Sequence, residues 1–476
     1  MNNLPAYLRP LQESYGTSVL GSGPSTPSQS VNFTSMLSAE ASKAGLFGKE
    51  DTVAPSDKFR FLMVSTHCHQ YTGYSKVSYG FVRELAKHDF LSVTHFGFQK
   101  QPAVPPLYRP YPPNIKVIDA AALEKPTPGG PPPQGFGYNA LPDIIRKEKP
   151  HVVMLYNDMG VVTRFLEEIR KSGIPRDFKI WIYVDQVYNT QMQAFIDIIN
   201  RDSDRVFAFT NYWKKCIKDQ GVNRPIDVLG HGFENDVFKP MGRSEARKKA
   251  NIPEEPFVIV NLNRNQPRKR YDILMMAFAE LVVKYPTKPI FLLCVCDKGE
   301  KGGWWIYELF QRELKMRGVN PEQFMQRLLL SSQEMNYRDE DINVFYNLAD
   351  VGINTADGEG WGLCNFEQMG VGIPQVVPDI GGFKEFCNSE NSMLVKPKYR
   401  YHLPIVHSPV GGEAEAVDPH DVCLAIEEYL MDSTKREAHG KKARETVLTY
   451  TWERATQSLV RRLKQEKEDF EEENKQ

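Results

Sequence analysis

Two glutamates, eight positions apart in a stretch that is otherwise small and apolar, are the first candidates for chemistry in this sequence. Glu359 and Glu367 lie in DGEGWGLCNFEQMGVGIPQVV, residues 357–377. The apolar run at 350–356 predicts a buried strand, so we expect Glu359 in the glycine-rich loop at its carboxyl end. Glu367 then lies about one turn into the helix that starts near Cys364. Both carboxylates are therefore expected at one strand-to-helix connection, where α/β proteins bind ligands.

The start of this helix has the features of a nucleotide site. Bare backbone N–H groups at a helix start attract phosphate, and Gly362 and Leu363 are the expected contacts. A carboxylate one turn into the helix, such as Glu367, can accept two hydrogen bonds from the cis-diol of a ribose. The alternative is that Glu367 is a solvated carboxylate favoured by the helix dipole, and that Glu359 is an ordinary loop residue.

A second strand-to-helix connection carries positive charge. In NLNRNQPRKRYDILMMAF, Arg264 and Lys269 lie five positions apart, with Arg268 and Arg270 beside them. An arginine can hold phosphate oxygens in a fork while a lysine supplies a compact charge. The pair can therefore neutralise a diphosphate without a metal. The alternative is a merely basic loop.

Other motifs give weaker signals. Gly73 opens the predicted helix in STHCHQYTGYSKVSYG, where a glycine lets a ligand approach the backbone closely. His67 and His69 are only two positions apart and lack a Cys or H-E-x-x-H partner, so we predict no metal site there. Asp339 and Asp341 form a D-x-D, but they immediately precede an amphipathic helix, which favours a capping and helix-dipole role.

Composition excludes several classes of protein. Lys and Arg total 59 against 60 Asp and Glu, so no global positive field indicates nucleic acid as a partner. The seven cysteines form no C-x-x-C pair, and we interpret them as reduced thiols. No window is apolar enough for a transmembrane segment and no signal peptide is recognisable. We therefore expect a cytoplasmic protein, for which peripheral membrane contact stays open.

The order of elements predicts an α/β fold. Residues 1–57 are rich in Ser, Thr, Pro and Gly without periodicity, which indicates a disordered arm. Short apolar runs then alternate with amphipathic segments, and a charged break near residue 240 separates two such series. We expect two doubly wound domains, with the ligand between them at the carboxyl ends of the strands. The predicted strands are 59–65, 91–98, 115–120, 151–156, 179–185, 205–210 and 225–230, then 257–264, 289–297, 327–332, 350–356, 374–379 and 392–397.

Two segments fit neither series. Nine of the twelve residues in 126–137 are Pro or Gly, and 398–416 interrupts the second series before a helix resumes. Either one of them borders the active site or both are surface decoration.

Taken together, these residues resemble the retaining nucleotide-sugar glycosyltransferases of family four, which have two facing Rossmann-like domains (the GT-B architecture). The E-x7-E signature of that family matches Glu359 to Glu367, and its Arg-x4-Lys diphosphate clamp matches Arg264 and Lys269. PDIGGFKEF resembles the loop that follows the E-x7-E helix, and ARETVLTYTWERATQSLVRRL resembles a C-terminal helix that crosses back to the first domain. The likeness is weaker in the first half, where Asp185 stands at the usual position of a histidine that contacts the donor sugar.

The resemblance implies transfer of a hexosyl unit from a UDP- or GDP-sugar to a hydroxyl group, with retained anomeric configuration and without a metal or other cofactor. The implied acceptor is a glycan, a glycoconjugate or a small hydroxyl compound. Arg264 and Lys269 would stabilise the leaving diphosphate, and Glu359 would orient the sugar. The further implied contacts are the ribose for Glu367, the diphosphate for Gly73, Gly362 and Leu363, and the sugar for Asp185.

Two alternatives share this architecture: a nucleotide-sugar 2-epimerase and a catalytically inactive sugar-nucleotide-binding protein. The expected divisions of the chain are a disordered arm (1–57), an acceptor-side domain (58–240), a nucleotide-sugar-binding domain (241–450) and a crossing helix with a charged tail (451–476).

Overall fold

The computed structural model of the chain describes residues 58–124, 133–296, 303–331, 337–404 and 411–473. The predicted disordered arm, 1–57, lies outside the described residues, as does most of the Pro- and Gly-rich segment. All seven cysteines are described and none forms a disulfide, which confirms the interpretation as thiols. None of the helices in the described ranges combines the length and the hydropathy of a membrane span.

The first half of the chain builds a parallel sheet of seven strands. Its order is β3-β2-β1-β4-β5-β6-β7, so the direction of winding reverses between the first and fourth strands. The inner strands are apolar on both faces because helices cover both sides. The strands are β1 (Phe59–Thr66), β2 (Leu91–Phe98), β3 (Ile115–Asp119), β4 (Val152–Asp158), β5 (Lys179–Asp185), β6 (Arg205–Ala208) and β7 (Ile226–Val228).

Helices of this first domain begin where strands end. Thr72 caps the first long helix by accepting a hydrogen bond from the Ser75 backbone, and Asp158 caps another by accepting one from Val161. The helices are α1 (Gly73–Leu85), α2 (Ala120–Leu123), α3 (Leu141–Glu148), α4 (Met159–Lys171), α5 (Gln193–Asp202) and α6 (Asn211–Asp219).

The second half repeats this arrangement with six parallel strands, in the order β10-β9-β8-β11-β12-β13. Its strands are β8 (Phe257–Asn261), β9 (Ile290–Cys294), β10 (Leu328–Leu330), β11 (Val351–Ile353), β12 (Gln375–Pro378) and β13 (Ser392–Val395). Its helices are α7 (Arg243–Ala250), α8 (Tyr271–Lys284), α9 (Ile306–Met316), α10 (Asp339–Asn347), α11 (Leu363–Gly370), α12 (Phe383–Phe386), α13 (Pro419–Met431) and α14 (Ser433–Val447).

All thirteen predicted strands coincide with strands of the two sheets, so the prediction of two doubly wound α/β units is confirmed. The segment 398–416 contains an element that was not predicted, a two-stranded antiparallel sheet of β14 (Tyr399–His402) and β15 (Glu413–Ala416).

The last helix, α15 (Trp452–Glu473), packs on the first domain although it follows the second in sequence. Arg462 pairs with Asp227 at the end of the first sheet, and a Cβ atom at Gly80 of α1 would lie 2.4 Å from the Trp452 ring. The crossing helix therefore ties the two domains together.

Candidate active site

A cleft of about 850 Å³ lies between the two domains, at the carboxyl ends of both sets of strands. Glu367 does not line this cleft, although it was one of the predicted site residues. The predicted residues that do line it are Gly73, Asp185, Arg264, Lys269, Glu359, Gly362 and Leu363.

The charge pair of Lys269 and Glu359 forms the floor of the cleft on the second-domain side. Both residues are buried, and the Lys269 ammonium donates to Oε2 of Glu359. Arg268 lies 3.5 Å from Oε1 of the same carboxylate and donates to the carbonyl of Gly358 at 3.0 Å. Burial alone would raise the pKa of Glu359, but the two cations lower it. Burial and the neighbouring guanidinium lower the pKa of Lys269.

The local backbone decides which of the neighbouring cations reach this floor. A 3₁₀ turn covers Pro267–Lys269, and Arg270 follows in the left-handed conformation with φ of 50°. This turn brings Arg268 and Lys269 to Glu359 and leaves Arg264 exposed at the rim of the cleft. From the sequence, Arg268 was noted only as a neighbour of the Arg264 and Lys269 pair, because the spacing of that pair does not reveal the turn.

Glu367 lies behind the cleft lining and is already bonded. Its Oε1 accepts from Nζ of Lys76 at 2.8 Å, and its Oε2 accepts from the same ammonium at 3.0 Å and from the hydroxyl of Tyr346 at 2.8 Å. Burial raises the pKa of Glu367 against the opposing effect of Lys76. The interpretation of Glu367 as a solvated helix-start carboxylate is therefore wrong, because the side chain is buried and is bonded to α10 and to α1 of the other domain.

Asp339 extends this contact between the domains. One of its oxygens lies 3.2 Å from Nζ of Lys76, and the other accepts from Nη2 of Arg109 at 3.0 Å. Burial opposes ionisation, but the two cations lower the pKa of Asp339 to about 2. The capping role predicted for the D-x-D falls to Asp341, which accepts a hydrogen bond from the backbone of Arg338.

Asp185 ends the fifth strand and faces the second domain. Its Oδ2 accepts a hydrogen bond of 2.7 Å from the hydroxyl of Tyr74, and a Cβ atom at Gly360 would lie 1.9 Å from its Oδ1. The same residue pairs in register with Asp158 at the end of the fourth strand. Burial raises the pKa of Asp185 to about 6, and the nearby carboxylates of Glu359 and Asp158 add to this rise.

Aromatic rings form the outer wall of the cleft on the first-domain side. Phe136 and Tyr138 stack with centroids 4.9 Å apart, and the Arg164 guanidinium lies 4.2 Å from the Tyr138 centroid. Phe136 belongs to the Pro- and Gly-rich segment, so the described part of 126–137 borders the cleft. The 398–416 segment reaches the connection between β11 and α11, where the Tyr401 hydroxyl donates to Asp357. Sequence reasoning assigned neither contact, because both depend on the folding of long connections.

The two histidines after the first strand support their own loop. Nδ1 of His67 accepts from the backbone of His69 at 3.0 Å, and burial lowers the pKa of His67 to about 4. Both rings are buried, and neither lines the cleft.

Comparison with known proteins finds a likeness for the second-domain side of this cleft. Residues 242–403, which carry the charge pair and α11, match the family described as glycosyl transferases group 1. This region of the chain is therefore similar to the group 1 glycosyltransferases. A D-inositol 3-phosphate glycosyltransferase of Geodermatophilus obscurus is 26% identical over 261 residues, which is 54% of this chain and 52% of that protein. The matches span between about a third and a half of the length of such curated relatives.

Solved structures extend the likeness to both domains of the chain. Sucrose-phosphate synthase from Thermosynechococcus elongatus covers 86% of this chain and 99% of its own, with a TM-score of 0.63 and 18% identity. Anabaena Alr3699/HepE in complex with UDP and glucose covers 86% of this chain and 100% of its own, with a TM-score of 0.62 and 14% identity. The GT-B architecture that the sequence predicted is confirmed.

Proposed function

We propose that the protein transfers a hexosyl unit from a nucleotide sugar, UDP- or GDP-linked, to a hydroxyl acceptor with retention of configuration and without a metal. The observation that carries this proposal is the meeting, at one cleft, of Arg268, Lys269 and Glu359 with the start of α11. These groups come from the two connections that the family signature occupies. The complex of the similar Anabaena protein with UDP and glucose favours UDP as the nucleotide.

The leaving diphosphate would lie between the start of α11 and the turn after β8. Gly362 precedes the helix with φ of 89°, and Leu363 is the first helical residue, so unpaired backbone N–H groups are available there. Lys269 and Arg264 supply positive charge from the other connection. Charge that grows on the diphosphate as the bond breaks is stabilised by these fixed donors, which is the largest contribution expected for such a site.

Gly73 provides space on the opposite wall. A Cβ atom at this position would lie 3.4 Å from Cδ2 of Leu363, so the two helix starts approach each other closely. A glycine here lets the first domain approach a diphosphate held at Leu363.

The proposed reaction needs no protein nucleophile. The bond between the anomeric carbon and the diphosphate oxygen breaks while the acceptor oxygen bonds to the same face of that carbon. The acceptor proton passes to the leaving phosphate. In this scheme Glu359 and Asp185 accept hydrogen bonds from sugar hydroxyls and place the anomeric carbon, and the aromatic wall of Phe136 and Tyr138 receives the acceptor.

The experiment is a donor panel with the full chain in the presence of EDTA. UDP-glucose, UDP-galactose, UDP-N-acetylglucosamine and GDP-mannose are each incubated with inositol 3-phosphate and with simple glycosides, and release of nucleotide is followed. Nuclear magnetic resonance of the anomeric proton of the product reports retention. An epimer formed without an acceptor would identify a 2-epimerase. Nucleotide binding without turnover for any donor and acceptor would contradict the transferase.

A further inference from the structure

Four charged side chains, two buried and two largely buried, join the two domains beside the proposed nucleotide site. Lys76 of α1 lies between Glu367 of α11 and Asp339 of α10, and Arg109 of the first domain contacts the other side of Asp339. We call these four residues the interdomain bridge. The side chains of Arg109 and Glu367 are 4% and 5% exposed, so water screens their charges weakly.

The ammonium of Lys76 contacts three other side chains within the described residues. It contacts both carboxylates and also lies 4.6 Å from the centroid of the Phe238 ring. Burial alone would lower the pKa of Lys76, but the two carboxylates raise it. The lysine therefore stays charged and requires anionic partners while the domains are together.

The number of hydrogen bonds that Glu367 can accept determines whether the ribose of a nucleotide can bind it. An ionised carboxylate offers about four acceptor positions. Three are used here, two by Lys76 and one by Tyr346. A ribose cis-diol donates two hydrogen bonds, so it cannot bind Glu367 in the usual manner while both contacts from Lys76 are present.

We propose that Lys76 is a gating residue of the donor site: it occupies Glu367 in the donor-free protein, and the ribose of a nucleoside diphosphate must displace it. This inference rests on the proposed function, because it takes Glu367 as the ribose ligand. Since Lys76 belongs to the first domain and Glu367 to the second, displacement also loosens the contact between the domains. Entry of the donor is thereby coupled to opening of the cleft.

Substitution of Lys76 and substitution of Glu367 should then have opposite effects on nucleotide affinity. Lys76→Met removes the competitor, so UDP should bind about tenfold more tightly, which corresponds to ~1.4 kcal/mol. Glu367→Ala removes the ligand, so UDP should bind more weakly. If the pair had only a structural role, both substitutions would change UDP affinity in the same direction. Turnover of Lys76→Met should fall, because the closed form loses its bridge.

The experiment is calorimetric titration of the full chain with UDP and GDP, together with small-angle scattering without ligand. Lys76→Met should give a larger radius of gyration than the wild type, and Lys76→Arg should restore both affinity and radius towards wild-type values. Asp339→Asn is a second variant, which removes the other anionic partner of Lys76. Lys76 should then hold Glu367 more strongly, so UDP should bind more weakly. Lys87→Met is the matched control, because Lys87 is an exposed lysine just after α1 that pairs with Glu84 of the same helix.

The outcomes separate the two proposals. Equal or weaker UDP affinity in Lys76→Met, or tighter UDP affinity in Asp339→Asn, with normal binding to the wild type, would overturn the gating role and leave the transferase intact. Failure of UDP and GDP to bind any variant or the wild type would overturn the proposed function and the gating role together.

Discussion

The two walls of the cleft balance their charges in different ways. In the second domain each glutamate of the signature contacts a lysine: Glu359, on the wall itself, contacts Lys269, and Glu367, behind the wall, contacts Lys76. On the first-domain wall Asp158 and Asp185 form no ion pair within the described residues; Asp185 accepts from the Tyr74 hydroxyl and Asp158 from the Val161 backbone, both neutral donors. A wall of exchangeable ion pairs suits a charged ligand that enters and leaves, whereas carboxylates with neutral partners suit the hydroxyl groups of a sugar.

The largest expected effect tests the second-domain wall. Lys269→Ala should lower turnover about a hundredfold and Arg264→Ala about tenfold, because a charged hydrogen bond is worth more when it is buried. Both should cost more in turnover than in UDP affinity, since charge on the diphosphate grows towards the transition state. Steady-state kinetics and calorimetry measure the two quantities, with the exposed Lys288→Ala as control. Unchanged turnover with weaker UDP binding would show that both residues stabilise only the bound ground state.

The next prediction assigns different roles to Glu359 and Glu367. Glu367→Ala should weaken bare UDP by about ten- to a hundredfold, the value of a charged hydrogen bond. Glu359→Gln keeps the shape of the side chain and removes its charge, so turnover should fall while UDP affinity stays near that of the wild type. Calorimetry with bare UDP and turnover with the donor distinguish the two. If both variants lose nucleotide affinity equally, the division of roles is wrong.

The first-domain wall is tested through pH. The pKa of Asp185 is about 6 in the folded protein against an ordinary value of 3.8, so the folded protein holds a proton between these values that the unfolded chain releases. Ionised Asp185 therefore lowers stability, fully above pH 6 and not at all below pH 4. Asp185→Asn should stabilise the protein at pH 7.5 by at most about 3 kcal/mol, and lower turnover.

Thermal unfolding of Asp185→Asn and wild type at pH 7.5 and pH 4 measures this difference. The midpoint of the variant should be higher at pH 7.5, and the two should coincide at pH 4. Asp177→Asn, an exposed aspartate just before β5, is the control and should change neither midpoint. A stabilisation independent of pH would show that packing, not ionisation, is the cause.

The smallest expected effect concerns metals. EDTA should leave turnover unchanged, because cationic side chains and a helix start supply the charge that a divalent ion supplies in other transferases. Asp339 is held by Lys76 and Arg109, and its D-x-D partner Asp341 caps a helix. Loss of turnover in EDTA with recovery in manganese would refute this and direct attention to these two aspartates.

The sequence predicted most of the fold and much of the second-domain wall, because the relevant signals are local. Strands buried on both faces appear as continuous apolar runs, and the positions of Glu359 and Lys269 follow from where such runs end. The first-domain wall was less predictable. Asp185 was identified only by its position in a resemblance, and its contact with Tyr74 joins residues 111 positions apart.

The sequence by itself determined the two doubly wound domains and the spacing of the signature residues, since periodicity and spacing act over a few residues. Only the tertiary structure decided how the charges pair. The 3₁₀ turn at Pro267 selects Arg268 over Arg264 as the neighbour of Glu359. The packing of α1 against α11 gives Glu367 a partner 291 positions away, and no local pattern records a contact that depends on how two independently built sheets face each other.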